Sequence, residues 1–204
     1  GEKLYLELKE LEMAYHEKNK RKFELTKHIS LAMLDPQQII ALRTATDSGQ
    51  NSVGCQIVIP EILFDMDHPG HCNRRIKSVS ITIPCVAGPY TSVSAELTLS
   101  ANSFKTKTGE RINGQLVITS MATSSAMNDS GMFQLNFNDE RYLPFEGAGV
   151  DSTWTLSLPN SVRQFDYNTI NDVIITIQYT AETGGSVNEN HLAEIFGRSF
   201  GILV

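Results

Sequence analysis

No run of apolar residues in this chain approaches the roughly 18 that a membrane-spanning helix requires. No secretory leader opens it either: "GEKLYLELKE" is charged and periodic, and a first residue of glycine is what a fragment of a longer chain would show. Cysteine is scarce. Cys55, Cys72 and Cys85 are odd in number and widely spaced, which excludes a disulfide framework and favours buried free thiols over one incidental bridge. Tryptophan occurs once, at Trp154. A basic excess is missing as well. Residues 1–50 balance eight Lys/Arg against eight Asp/Glu, whereas residues 51–204 carry nine against fifteen. Such an acidic body lacks the footprint that phosphate binding needs, so nucleic acid is not expected as a partner. The basic run Lys18 to Lys22 is interleaved with Glu7, Glu10, Glu12, Glu17 and Glu24 and reads as a solvated helix face.

Catalytic and cofactor motifs are equally thin. The glycines of "EGAGVDS" lack the third glycine of a dinucleotide fingerprint, because Ser152 stands in its place and a strand-like segment follows. "HPGHC", His68 to Cys72, has no tight zinc spacing and no second ligand pair downstream, and Pro69-Gly70 marks a turn. No G-x-S-x-G elbow is present, and "NDSG" (Asn128 to Gly131) reads as a turn. Asp139, Glu140 and Glu146 offer carboxylates for glycoside chemistry, but Glu140 adjoins Arg141 in a charged turn where ion pairing is the ordinary outcome. The expectation is a protein with no catalytic residues, no metal and no cofactor.

What is present is a change of period. With 41% hydrophobic and 20% charged residues the chain can bury a real core. The first thirty residues read as a helix: Leu4, Leu8, Leu11 and Tyr15 form a heptad seam that Leu25 and Ile29 resume beyond the polar Lys18 and Lys22. That seam calls for neighbours outside the chain. "LDPQQIIALR" predicts a second helix, with Pro36 in the first turn after Asp35. The polar stretch Thr44 to Ser52 divides a helical segment, 1–46, from a β-rich domain, 47–204.

Past it, alternation takes over in Val79, Ile81, Ile83; in Val93, Ala95, Leu97, Leu99; in Phe133, Leu135, Phe137; in Trp154, Leu156, Leu158; and in Val173, Ile175, Ile177, Tyr179. "CQIVIP" and "QLVITS" are shorter strand candidates, and "ENHLAEIFGRSF" reads as a return to helix. Alternation broken by Gly, Pro, Asn and Asp turns predicts a mainly β, antiparallel sandwich-like domain behind the helical segment. A carbohydrate-binding sandwich is the alternative reading. Its platforms would come from Tyr90, Tyr142, Phe145 and Tyr167, since Trp154 alternates with core leucines.

Four stretches carry more than composition: "LFDMDHPGH", "RRIKSVSITIPCVAGPYTSVSAELTL", "DERYLPFEGAG" and "RQFDYNTINDVIITIQYTAETGG". In this succession, and with "LYLELKELEMAYHEKNKRKFELTKHISLAMLDP" ahead of them, they resemble the C-terminal part of the A component of bacterial Tc (toxin complex) insecticidal toxins over residues 4–185. In that family the region is the TcB-binding domain. The resemblance implies a non-enzymatic assembly and gating module of a secreted bacterial toxin. It would sit atop a homopentameric translocation channel and dock on the β-propeller of the B component. Docking would open the cocoon formed by the B and C components, so that the toxic enzyme passes into the channel. The leading helix would be the end of the channel lining, and membrane contact would belong to other parts of the full-length protein. Candidate contacts with the B component are Asp139, Glu140, Arg141, Tyr142, Phe145, His68, His71 and Tyr90. "DERYLPFEGAG" itself reads as a structural connector first and as part of a docking rim second.

Overall fold

A computed structural model describes residues 2–18, 22–44, 52–86, 91–115, 120–126, 132–136, 144–159 and 165–184. Helix α1 (Glu2–Lys18) carries the heptad seam, and each of its residues from Glu2 to Tyr15 is exposed. Leu4, Leu8, Leu11 and Tyr15 are all about three-fifths exposed or more. At 3.6 residues per turn, Leu6 and Met13 fall on the opposite side of the helix from that seam.

The helical reading fails from Phe23. Phe23–Ser30 is a strand, β1, paired antiparallel along its whole length with β9 (Ile174–Thr183). The i, i+4 spacing of Leu25 and Ile29 suits both a helix and a period of two, and eight registered partners on β9 decide for the strand. Two short helices follow, α2 (Leu31–Leu34) and α3 (Pro36–Thr44). Asp35 accepts from the Gln37 amide as the cap ahead of Pro36. Asp172 fastens the turn from β1 into α2, accepting from the Ser30 hydroxyl at 2.6 Å and the Ala32 amide at 2.9 Å.

The remaining elements are β2 (Ser52–Ile59), α4 (Ile62–Asp67), β3 (His71–Pro84), β4 (Ser92–Lys105), β5 (Arg111–Asn113), β6 (Ser120–Ala126), β7 (Met132–Asn136) and β8 (Asp151–Pro159). They form two antiparallel sheets. One runs β1-β9-β3-β7; the other runs β2-β8-β4-β5, with β6 also paired to β4. Inward faces alternate as expected: Val79, Ile81 and Ile83 oppose Val93, Ala95, Leu97 and Leu99, with Trp154, Leu156, Leu158, Ile175, Ile177 and Tyr179 equally buried. Ile29, Leu31, Ile39 and Leu42 join the same core, so residues 23–44 are part of the β body.

Cys55 and Cys72 are buried free thiols and Cys85 is half-buried; burial pushes the Cys55 thiol up to about 12 and Cys85 to about 11. Among the described residues no helix is long and apolar enough to cross a membrane. Of "QLVITS" only Gln115, outside any strand, and Ser120, the first residue of β6, are described. Phe137, "NDSG", the boundary at residues 46–47 and the C-terminal helical reading lie outside the described residues.

Candidate docking site around the signature turn

The described part of "DERYLPFEGAG", Pro144 to Gly149, is a turn stitched to both sheets. Phe145 is 2% exposed, and its ring meets Trp154 edge-on at 4.9 Å. Gly147 adopts φ 81, a conformation that suits glycine. Its amide donates to the Ile76 carbonyl at 2.9 Å, and the Ile76 amide returns a bond to Ala148 at 2.8 Å. Gly149 is needed for a different reason. A Cβ there would lie 1.9 Å from the Ser103 carbonyl oxygen, so the turn can lie against β4 only without a side chain. Its amide donates to Asn102 Oδ1 at 2.9 Å. The turn therefore ties β3 to β4 across the two sheets.

Arg75 underpins the turn. Its guanidinium donates to the Gly147 carbonyl at 2.7 Å and lies 3.6 Å from the centre of the Phe104 ring. Around it, Lys22, Glu24, Arg75, Lys77, Glu146 and Gly147 help line a surface groove of about 450 Å³. The groove mixes three cations with two carboxylates on a body that is otherwise acidic.

The neighbouring residue, Arg74, points inward and is fully buried. It pairs with Glu61 at 3.3 Å and with Asp65, and it donates to the His68 carbonyl at 2.9 Å. The other Glu61 oxygen lies 3.4 Å from the Lys105 ammonium and 3.8 Å from Arg111, which in turn pairs with Asp151. This ionic cluster joins α4 and β3 of one side to β4, β5 and β8 of the other. Burial pushes the Glu61 carboxyl up, with the Lys105 charge pulling against it.

The residues singled out from sequence meet different fates. Asp139, Glu140, Arg141, Tyr142 and Tyr90 lie outside the described residues. Phe145 serves the core, and a ring 2% exposed offers no face to a partner, which corrects its candidacy as a contact. His68 is exposed and stacks on the half-buried His71 with centroids 5.2 Å apart. Parallel rings do not aim their nitrogens at one point, and among the described residues no group of three or more His, Cys, Asp or Glu could hold a metal ion. Sequence reasoning missed Glu61, Arg74 and Asn102, for which no motif gives a signal.

Comparison with known proteins gives this geometry a family. The family model described as the Tc toxin complex TcA C-terminal TcB-binding domain matches residues 1–181, from α1 through most of β9. The chain belongs to this family. It is 38% identical over 207 residues to the toxin subunit YenA2 of Yersinia entomophaga, covering 91% of this chain and 14% of that protein. Among solved structures it resembles TcdA4 of Morganella morganii, with TM-score 0.57, 28% identity, and 88% of this chain and 8% of that one covered. TcaA-TcaB of Yersinia pseudotuberculosis gives TM-score 0.57 and 29% identity over 89% of this chain and 11% of that one. This TcB-binding domain thus spans a small fraction of the relatives it matches. The signature turn and the ionic cluster both fall inside the matched region.

Proposed function

We propose that this TcB-binding domain docks the cocoon of B and C components onto a pentameric translocation channel by binding the β-propeller of the B component. The family match over residues 1–181 carries the reading. The mechanism is differential binding: the domain favours the propeller's open form over its closed form, because equal affinity for both would shift nothing. The leading helix α1 is the end of the channel lining, a role supported by its exposed apolar seam. In this setting the full-length protein is a secreted toxin component whose contact with membranes lies outside this domain. The acidic body suits a positively charged partner surface, which would steer association and make it salt-dependent.

Interferometry against a purified cognate B–C cocoon tests the proposal. Saturable binding that weakens with added salt is expected. Saturable binding to polysaccharide, with no affinity for the cocoon, would overturn it. The burial of the single tryptophan speaks against a carbohydrate platform at that residue.

A further inference from the structure

Where the chain passes from α1 into the β body, three rings lie parallel. Phe23 stacks on His71 with centroids 5.3 Å apart and planes 13° apart, and His71 stacks on His68 at 5.2 Å and 12°. Phe23 opens β1, His71 opens β3, and His68 caps the C-terminus of α4. Register explains how the first two meet. Phe23 pairs with Ala181 and His71 with Thr183, so both rings stand on one face of the sheet, on either side of β9. The small Ala181 side chain leaves room for them to touch across it. Besides this stack, the start of β1 is held by its antiparallel ladder to β9, by the ion pair of Glu24 with Lys77 at 2.9 Å and by that of Lys22 with Glu182 at 3.9 Å.

The charges around the stack are already committed. From α4, Asp65 pairs with Arg74 and Lys105, and Asp67 pairs with Lys27 of β1. From β9, Glu182 is engaged by Lys22, by Lys107 and by the Asn73 amide. Glu61, at the N-terminus of α4, answers to Arg74, Lys105 and Arg111. The fixed cation beside the imidazoles is Arg74 of β3, and the Nδ1 atom of His71 is buried without a hydrogen-bond partner among the described residues.

We propose that the Phe23–His71–His68 stack is an acid-labile joint. With neutral imidazoles it pins the start of β1 to the body and fixes where the leading helix meets it. With His71 protonated, its charge sits beside the fixed cation of Arg74, and Phe23 and its neighbours come away from β9. Burial first, then the charges of His68 and Arg74, hold His71 below the usual histidine range, in agreement with this geometry. The sign follows. A released His71 takes up a proton more readily than a stacked one, so the joint is intact near neutrality and weakens as pH falls below about 6.5.

Hydrogen exchange of the full 204-residue chain tests this, with protection factors for residues 23–27 compared between about pH 7 and about pH 5. In the wild type they should fall by roughly tenfold or more while those of β8 hold. His71→Phe keeps a stacking ring without a titrating group, and its change should stay within about twofold. His68→Phe, at an exposed position, removes one neighbouring charge but leaves the burial of His71 and the Arg74 cation, so its fall should lie between those of the wild type and His71→Phe. A flat wild-type profile overturns the joint, and so does a fall in both variants as large as in the wild type. No partner protein enters the measurement, so it stands or falls apart from cocoon binding.

Discussion

At the scale of single residues, the signature turn separates two uses of glycine that its sequence presents alike. Gly147 sits at φ 81 with nothing within 4 Å of a built Cβ, whereas Gly149 presses on the backbone of Ser103. A methyl group at Gly147 meets only the cost of left-handed backbone, about 1 kcal/mol. At Gly149 it meets a carbonyl oxygen and carbon that cannot swing away, because Ser103 is paired on both sides, with Asp151 and with Asn113. We therefore expect Gly149→Ala to cost about 3 kcal/mol, well above Gly147→Ala. Urea unfolding followed by the emission of Trp154, the sole tryptophan and fully buried, measures both. Sequence reading placed a turn here but offered Phe145 as a partner contact, which its burial overturns. It could not tell the glycines apart, because close approach of two backbones is a tertiary fact that leaves no local pattern.

At the scale of elements, alternation made the sheets legible and bulges set the limit. Counting back in twos from Ile81 and Val79 would place Lys77 and Arg75 inside. The register shift between Ile76 and Ser78 reverses the phase, and Arg74 goes inside with Ile76 instead. Strand β1 escaped notice for a related reason, since four is a multiple of two and Leu25–Ile29 fits either period. The buried Arg74 gives a test. Arg74→Met alone leaves Glu61 and Asp65, which are 3% and 11% exposed, without their central cation, and should cost about 3–5 kcal/mol. Adding Glu61→Leu and Asp65→Leu removes the stranded charges and should recover most of that loss in the same urea assay. If the triple variant is as unstable as the single one, the cluster's value lies in its directed hydrogen bonds and not in charge balance.

At the scale of the whole molecule, the described residues form a well-buried body and a helix, α1, whose side chains from Glu2 to Tyr15 are exposed. The apolar seam was readable in the sequence; that a strand begins at Phe23 was not, because the seam's spacing carried on into β1. Leu4, Leu8, Leu11 and Tyr15 face one side of α1 while Leu6 and Met13 face the other, so the helix is built to be covered on two sides. The side chains of Leu4, Leu8 and Leu11 are exposed, and changes at sites distant from the core add independently of it. The wild type should self-associate in sedimentation at raised concentration, and replacing Leu4, Leu8 and Leu11 with Glu should abolish this while leaving the body's urea midpoint unchanged. Replacing Leu6 and Met13 with Glu tests the second side by the same two readouts. If only the first set matters, α1 packs along one seam and the two-sided arrangement is wrong. A shift of the urea midpoint in either variant would mean that the helix folds onto its own body, contrary to its exposure in this structure.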